Sequence, residues 1–364
     1  MSKLLINLSV VFSQPTGISN YAKNLFPYLK TLNPTLLTAY KEPDFNCYLI
    51  PDNLTPAQGT KGHFERLVWT QVQLPQIYKK LESNLIFSPI PEAPLYGKCR
   101  FIVMVHDLIP IRFANLFSPL TYYFRYYIPQ VLNQAQHIVC NSHSTAKDIT
   151  EFYRIPESKI TRIPLAHDTS RFYPVSWEAN EQDYLAKCPY FLYLGRQDPY
   201  KNLLRLISAF AAIPNNKDYE LWFAGPQDKR YTPNLQKLAE ELNVIHQIKF
   251  LNYVPYQDLP KIIGGAIALV FPSLWEGFGF PVLEAMACGT PVITSNISSL
   301  PEVAGDAAIA IDPYNVREIT DAMQLIATDS QLRQHLSTEG IHRANQFSWE
   351  KTGLAMVEVL SRYL

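Results

Sequence analysis

Two carboxylates and two glycines lie close together near residue 280. Glu276 is followed by Gly277 and Gly279, and seven residues separate Glu276 from Glu284. Glycines let a backbone approach a ligand closely, and the first amides of a following helix bind anions because they have no partner within the helix. The stretch therefore predicts a ligand site with an anion-binding part. For Glu284 a second interpretation stays open, since an acid near a helix start also stabilises the helix dipole.

Basic residues follow a second apolar run. Gly195 and Arg196 come directly after Tyr190–Leu194, and Lys201 precedes a predicted helix over residues 203–212. A cation at a helix start is disfavoured by the helix dipole, so we expect an anion to offset its cost. The alternative is that both cations are ordinary surface charges.

Candidate residues of the N-terminal half also follow predicted strands. His106 and Asp107 come after the apolar run Phe101–Val105, and Gly17 lies in the turn between a strand over residues 4–10 and a helix. Ligands bind at the carboxyl ends of strands in open α/β sheets. The alternatives are a structural histidine, with Asp107 either orienting it or capping the next segment, and an ordinary turn at Gly17.

The elements that must position these residues alternate between strand and helix. This alternation predicts an α/β fold with parallel sheets. We place the first domain at residues 1–174, a polar linker at 175–188 and the second domain at 189–348. Residues 41–62 are rich in proline and polar side chains and are predicted to form a loop.

The composition limits the class of protein. The chain has 364 residues, which suits two domains, and 47% of them are hydrophobic. A formal net charge of +0 argues against nucleic acid as a partner. The five cysteines form no C-x-x-C pair, so we expect reduced, mostly buried thiols in a cytoplasmic protein. Asn7 and Ser9 interrupt the first apolar run, which favours a strand over a signal peptide.

The central stretch resembles a known family. Glu276-Gly-Phe-Gly-Phe-Pro-Val-Leu-Glu284, followed by Ala-Met-Ala-Cys-Gly-Thr-Pro-Val, resembles the EX7E signature of retaining glycosyltransferases of family 4. The resemblance implies the GT-B fold, in which two Rossmann-like domains face each other across a cleft. It also implies that the C-terminal helix, residues 349–364, crosses back onto the first domain. Within the family, the chain is most similar to bacterial mannosyltransferases of O-antigen and exopolysaccharide assembly.

The resemblance implies a role for each candidate residue. Glu276 and the amides of Gly277, Phe278 and Gly279 would hold the donor sugar, and Glu284 would accept both ribose hydroxyls. His106 would hydrogen-bond a hydroxyl of the donor sugar. The remaining candidates would contact the diphosphate or the base: Gly17, Gly195, Arg196 and Lys201 for the diphosphate, and Asn252, Tyr253 and Val254 for the base. Family members usually have a glycine where this chain has Asn252.

The expected reaction is the transfer of mannose from GDP-mannose to a glycan or lipid-linked saccharide. A UDP-sugar, such as a glucose or GlcNAc donor, is the alternative substrate, and a non-catalytic sugar-nucleotide-binding protein is the alternative function. A nicotinamide-dependent oxidoreductase is disfavoured because Val282 stands where a third glycine would be needed. No D-x-D triplet occurs, so we expect neither a metal nor a cofactor.

An aromatic run suggests a further partner. Tyr122-Tyr-Phe-Arg-Tyr-Tyr127 lies within a predicted helical stretch, and its rings fall on several faces. Core packing is one interpretation. The other is a surface for a lipid-linked acceptor or for peripheral contact with the inner face of the membrane, because charges are sparse there.

Overall fold

The computed structural model describes residues 3–11, 17–174 and 188–364, which form two compact units. The first unit consists of the chain up to Leu165 together with Ser348–Leu364, and the second of Ala166–Phe347. Residues 166–174, which the sequence analysis places in the first domain, thus group with the second unit. The predicted linker lies outside the described residues except for Cys188.

The first unit is built on a seven-stranded parallel sheet with the order β3-β2-β1-β4-β5-β6-β7. Its strands are β1 (Leu4–Asn7), β2 (Thr35–Thr38), β3 (Asn46–Leu49), β4 (Leu85–Ser88), β5 (Phe101–Val105), β6 (His137–Cys140) and β7 (Ile160–Arg162). The central strands β1, β4, β5 and β6 are fully buried. They read as continuous apolar runs because helices cover both faces of a parallel sheet.

Helices of the first unit connect these strands. They are α1 (Gly17–Leu29), α2 (Gly59–Lys80), α3 (Ile109–Arg112), α4 (Pro119–Tyr122), α5 (Ile128–Gln134) and α6 (His143–Tyr153). A π-helical turn, Tyr123–Tyr127, joins α4 to α5. None of the helices in the described parts of the chain combines the length and apolar character needed to span a bilayer.

The second unit contains a six-stranded parallel sheet with the order β10-β9-β8-β11-β12-β13. Its strands are β8 (Tyr190–Leu194), β9 (Glu220–Ala224), β10 (Ile248–Asn252), β11 (Ala268–Phe271), β12 (Val292–Ser295) and β13 (Ile309–Ile311). Its helices are α7 (Leu203–Ala211), α8 (Thr232–Glu241), α9 (Leu259–Gly264), α10 (Phe280–Ala287), α11 (Leu300–Ala304), α12 (Val316–Thr328) and α13 (Ser330–Ala344).

The final helix, α14 (Trp349–Ser361), returns to the first unit. Ser348 caps it, since its Oγ accepts a hydrogen bond from the Lys351 amide at 3.2 Å. The Thr352 hydroxyl donates to the Pro164 carbonyl at 2.7 Å, and the hydroxyl of Tyr363 lies 3.0 Å from Nδ1 of His137. These contacts confirm the prediction that the C-terminal helix packs on the first domain.

Both sheets reverse their strand order once near the middle. The reversal falls between β1 and β4 in the first sheet and between β8 and β11 in the second. Crevices at the carboxyl ends of strands beside such a switch point are the usual ligand sites of open α/β sheets. In each unit, the segments that follow these strands are therefore the candidate ligand sites.

Three local expectations were wrong. Residues 41–62 are not all loop, because they include the edge strand β3 and the start of α2. The first strand ends at Asn7, well before Val10, because the chain turns at residues 9–10. All five cysteines have free thiols as expected, but only Cys140 and Cys288 are buried.

Candidate functional site

A buried ion pair joins the two strands at the switch point of the second sheet. Lys201 follows β8 and Glu276 follows β11, and Nζ of Lys201 lies 2.6 Å from Oε1 of Glu276. Both residues are buried. Burial alone would lower the pKa of Lys201, but the charge and hydrogen bond of Glu276, together with the neighbouring Tyr200, hold this pKa above its usual value. The cation is therefore retained in a largely water-excluded place.

Asn202 fixes the position of this lysine. It has left-handed backbone geometry, with φ of 65°, between the short helical turn Pro199–Lys201 and α7. Its Nδ2 donates to the carbonyls of Pro272 and Pro313, at 3.1 and 2.6 Å. The end of β8 is thus tied to the end of β11, and Lys201 is held where it meets Glu276.

The loop that carries Glu276 is held by two serines. The amide of Glu276 donates to the Ser298 hydroxyl at 3.2 Å. The hydroxyl of Ser299 lies 3.0 Å from the carbonyl of Glu276 and 2.8 Å from that of Phe278. Phe278 is buried, and its ring contacts those of Phe280 and Phe347. The sequence alone indicates no role for these serines, because nothing in their spacing links them to residue 276.

Gly279 immediately precedes α10, which begins at Phe280. Its φ is 111°, a conformation that residues with a Cβ rarely adopt. A Cβ at this position would also lie 2.8 Å from Cδ2 of Leu300. The glycine therefore serves both the turn and the close packing of α11 on the loop. Gly277 lies in the same loop, two residues before the helix cap.

Arg196 is an exposed cation at the same strand end. Its side chain is 70% exposed, and its Nε lies 3.2 Å from Oδ2 of Asp198. The carbonyl of Arg196 accepts a hydrogen bond from the Tyr193 hydroxyl at 2.6 Å, which fixes the backbone. Gly195, with φ of 144°, makes the turn that leads into it. Because its side chain is already exposed, Arg196 can contact an anion that approaches from solution.

Glu284 lies one turn into α10 and is half-buried. Burial raises the pKa of its carboxyl to about 8, and the negative charge of Asp168 adds to the shift. The ligand-free side chain is therefore mostly protonated at pH 7. The sequence does not indicate that Asp168 lies near Glu284, because more than a hundred residues separate the two and no spacing pattern connects them.

Residues around Asn252 form an exposed turn at the end of β10. Asn252 has left-handed geometry, with φ of 57°, as expected for an asparagine replacing glycine. Its carbonyl accepts a hydrogen bond from the Gly225 amide at 2.8 Å. Tyr253 is exposed and Val254 is half-buried. The structure does not bring these three side chains into contact with the Lys201–Glu276 pair.

His106 of the first unit directly follows β5. Its Nε2 lies 2.9 Å from the carbonyl of Pro89, which follows β4, and its ring packs edge-on against Tyr21 of α1 at 5.1 Å between centroids. Burial lowers the pKa of His106 to about 4, so the imidazole is neutral at pH 7. A carbonyl cannot donate, so Nε2 carries the proton and Nδ1 is left as an acceptor.

One neighbour of His106 contacts the segment that follows it. Oδ1 of Asp107 accepts a hydrogen bond from the Ile109 amide at 3.0 Å, a contact of the kind that the capping interpretation expects. Gly17 is the exposed first residue of α1, and the five residues before it lie outside the described chain. Within the described ranges, no cluster of three histidine, cysteine, aspartate or glutamate residues could hold a metal ion.

Comparisons with known proteins identify a family for each half of the chain. The family described as "Glycosyltransferase Family 4" matches residues 15–171, and that described as "Glycosyl transferases group 1" matches residues 178–343. The chain is 35% identical over 224 residues to O-antigen chain mannosyltransferase B of Escherichia coli, covering 60% of this chain and 58% of that protein. It is 28% identical to the serotype-specific mannosyltransferase WbdA of the same species, covering 78% of this chain and 35% of that protein.

A solved structure has the same fold along the whole chain. It is Anabaena HepE in complex with UDP and glucose, with a TM-score of 0.76, 16% identity and complete coverage of both chains. The matches span less than two thirds of the length of the two curated relatives. The two family matches together take in most of the sequence and confirm the family and the GT-B fold expected from it: the chain belongs to glycosyltransferase family 4.

Proposed function

We propose that this protein is a retaining hexosyltransferase that moves mannose from GDP-mannose to a glycan or lipid-linked saccharide in polysaccharide biosynthesis. The observation that carries the proposal is the buried Lys201–Glu276 pair at the switch point of the second sheet. It is joined there by a glycine turn and an exposed arginine. The names of the two curated relatives, both mannosyltransferases, support mannose as the transferred sugar.

The proposed chemistry is mainly electrostatic. As the bond between the anomeric carbon and the diphosphate oxygen breaks, the bonding electrons leave with the diphosphate. Arg196 and Lys201 stabilise the charge that develops, and a fixed cation in a water-excluded place is most effective for this. The acceptor hydroxyl attacks the face from which the diphosphate departs, and the diphosphate takes its proton, so the configuration is retained. Glu276 and the backbone amides of residues 277–279 hold the sugar.

Two further groups are proposed to contact the donor. Glu284 accepts the ribose hydroxyls after losing its proton. His106 accepts a hydrogen bond from a sugar hydroxyl through Nδ1, since Nε2 faces the Pro89 carbonyl. A neutral imidazole with a pKa of about 4 acts here as an acceptor and not as an acid. No metal or organic cofactor takes part in this proposal.

A UDP-sugar is the second candidate donor, because the HepE structure with the same fold was solved with UDP and glucose. Titrating GDP and UDP separately by calorimetry decides between them. We expect GDP to bind more tightly. Tenfold tighter binding of UDP, about 1.4 kcal/mol, would overturn the mannosyl assignment. A transfer and hydrolysis assay with both sugar nucleotides tests catalysis itself, since a non-catalytic binding protein would show neither activity.

An exposed apolar surface in the first unit fits a lipid-linked acceptor. Residues 113–126 expose several large apolar side chains, and the most exposed of them, Phe117, is 96% accessible. Clusters of exposed apolar side chains are typical of sites that bind proteins or membranes. We propose that this surface rests on the cytoplasmic face of the membrane. Flotation with phospholipid vesicles tests it: Phe117→Ser with Tyr126→Ser should abolish flotation, whereas unchanged flotation would remove the surface from the proposal.

A further inference from the structure

A second buried ion pair lies in the first unit, outside the residues considered so far. The guanidinium of Arg66, on α2, contacts the carboxylate of Glu92 through two parallel bonds: Nε to Oε2 and Nη2 to Oε1, both 2.7 Å. The side chains are 1% and 3% exposed. The hydroxyl of Tyr123 adds a third bond by donating to Oε1 at 2.8 Å. Burial alone would raise the pKa of Glu92, but the charge of Arg66 holds it below its usual value.

Stability gives no sufficient reason for this pair. Removing two charges from water costs several kcal/mol, and replacing a buried ion pair by well-packed apolar residues is often neutral or stabilising. The net stabilisation by the pair is therefore small. Its geometry is nevertheless closely defined, because a bidentate contact fixes the planes of the guanidinium and the carboxylate. This contrast suggests that the pair determines where a segment of the chain lies.

That segment is the loop after β4, residues 89–95. The carbonyl of Ala93 in this loop accepts hydrogen bonds from the hydroxyl of Tyr127 at 2.8 Å and from Nε2 of Gln71 at 3.0 Å. The amide of Leu95 donates to Oε1 of the same glutamine at 2.8 Å. The loop is therefore held from α2 on one side and from the π-helical turn on the other.

The π-helical turn places two of its three tyrosines on the loop. Tyr123 and Tyr127 stack with 5.1 Å between ring centroids, and one binds Glu92 while the other binds Ala93. Single π-helical turns are rare and occur frequently at functional sites. Here the turn serves to aim two hydroxyls at neighbouring residues of one loop.

The same loop begins at the residue that orients His106. The Pro89 carbonyl faces Nε2 of His106, and the amide of Glu92 donates to the carbonyl of Ile90 at 2.8 Å, which makes the intervening backbone compact. Only two residues lie between Pro89 and Glu92. A displacement of Glu92 therefore displaces the carbonyl that fixes the imidazole.

We propose that Arg66, Glu92 and Tyr123 are positioning residues that hold the loop over residues 89–95, and thereby keep His106 with its proton on Nε2 and its acceptor atom on Nδ1. The orientation of the imidazole is a property of the free protein. The consequence for turnover rests on the function proposed above.

The decisive variant is Arg66→Met combined with Glu92→Leu, which removes both charges and leaves neither unpaired. Loss of the two charges is neutral or stabilising, but the Tyr123 hydroxyl and the Leu54 carbonyl lose their partners, so we expect a folded protein with a modestly lowered melting temperature. In ¹⁵N spectra of the imidazole, the single Nε2–H form should give way to a mixture of tautomers. Turnover of GDP-mannose should fall about tenfold or more with little change in donor KM, since small misplacements of a positioned group cost up to about a hundredfold.

Single variants provide the control and the rescue. Tyr123→Phe removes one bond to Glu92 and should shift the imidazole spectrum partially. Tyr190→Phe removes a comparable hydroxyl bond, to the Ile262 carbonyl of the second unit, without touching the loop or the π-helical turn, and should leave the spectrum unchanged. Arg66→Lys keeps the charge without the fork and should fall between the native protein and the double variant. If the double variant does not fold, the three single variants carry the test.

The outcomes separate the two proposals. A native imidazole spectrum in both the double variant and Tyr123→Phe would overturn the positioning role. A changed spectrum, in a protein whose native form turns over neither GDP-mannose nor a UDP-sugar, would support the positioning role and overturn the proposed function.

Discussion

The ammonium of Lys201 lies 2.6 Å from a carboxylate oxygen of Glu276, and neither side chain has appreciable access to solvent. The two residues are 75 positions apart in sequence. They meet because β8 and β11 are adjacent strands whose carboxyl ends lie together. An incoming diphosphate would thus find a cation that is already held in place.

Lys201 and Arg196 should respond differently to the same substitution. Lys201→Ala leaves Glu276 buried and unpaired, which should cost about 3–5 kcal/mol of the free energy of unfolding in addition to its effect on turnover. Arg196→Ala removes a pair whose arginine side chain is 70% exposed, together with a hydrogen bond to the Tyr200 hydroxyl. It should lower turnover roughly a hundredfold while lowering the melting temperature much less than Lys201→Ala does.

Thermal melting and steady-state kinetics measure the two effects separately. Activity should survive treatment with EDTA, because we propose that these two cations, and not a metal, neutralise the diphosphate. A requirement for added Mg²⁺ or Mn²⁺ would show that they are not the main contacts of the diphosphate.

Glu284 should make both stability and nucleotide binding depend on pH. Its pKa is about 8 in the folded protein against an ordinary value of 4.5, so the folded state binds the extra proton between these values. The free energy of unfolding should therefore decrease as the pH rises from about 4.5 to about 8. Glu284→Gln cannot ionise, so this part of the dependence should vanish in denaturation curves taken across that range.

Nucleotide binding should release the same proton, because a carboxylate that accepts two ribose hydroxyls must be ionised. Calorimetry of GDP at pH 7 in two buffers with different ionisation enthalpies should show this release. Glu284→Gln should weaken binding most above pH 8, since each charge-assisted bond contributes about 1.5–3 kcal/mol. An unchanged dissociation constant there would remove Glu284 from the site.

Substitution of His106 by alanine should lower turnover far more than it lowers nucleotide affinity. The imidazole lies in the first unit and is proposed to contact only the sugar. Because its pKa is about 4, the turnover of the native protein should show no step from this group between roughly pH 5.5 and 8. Full activity of His106→Ala would make the residue purely structural.

Gly353 provides a point test of the last helix. Alanine in a helix interior is normally more stable than glycine by about 0.5–1 kcal/mol. Here a Cβ would overlap the ring of Tyr28 on α1, so Gly353→Ala should instead lower the melting temperature. Deleting residues 349–364 should have a larger effect, since it uncovers the apolar face of α1. A deletion variant with native melting and activity would contradict the packing of α14 on α1.

Much of this fold could be predicted because its strands are buried on both faces. The runs Phe101–Val105 and Tyr190–Leu194 form strands with the bounds that the sequence indicates. The edge strand β3 could not be predicted in this way, because none of its residues is buried, and backbone pairing with β2 defines it. A local pattern of apolar residues indicates burial, and the residues of β3 are little buried.

Prediction of the candidate site was limited by contacts between distant residues. Glycine turns and strand ends indicated where Gly279, Arg196 and His106 would lie. No pattern indicated that Lys201 would pair with Glu276 or that Asp168 would raise the pKa of Glu284. These properties arise only when strands and loops from separate parts of the chain come together.

The return of α14 to the first unit has a consequence for biosynthesis. The second unit, about 180 residues long, is inserted between the first sheet and the helix that completes it. At about 5–20 residues per second, the ribosome needs roughly 10–40 s to make this insertion. Throughout that interval the face of α1 around Tyr21 and Tyr28 lacks its cover. The nascent first unit therefore waits until α14 has been synthesised, while the second can complete its core earlier.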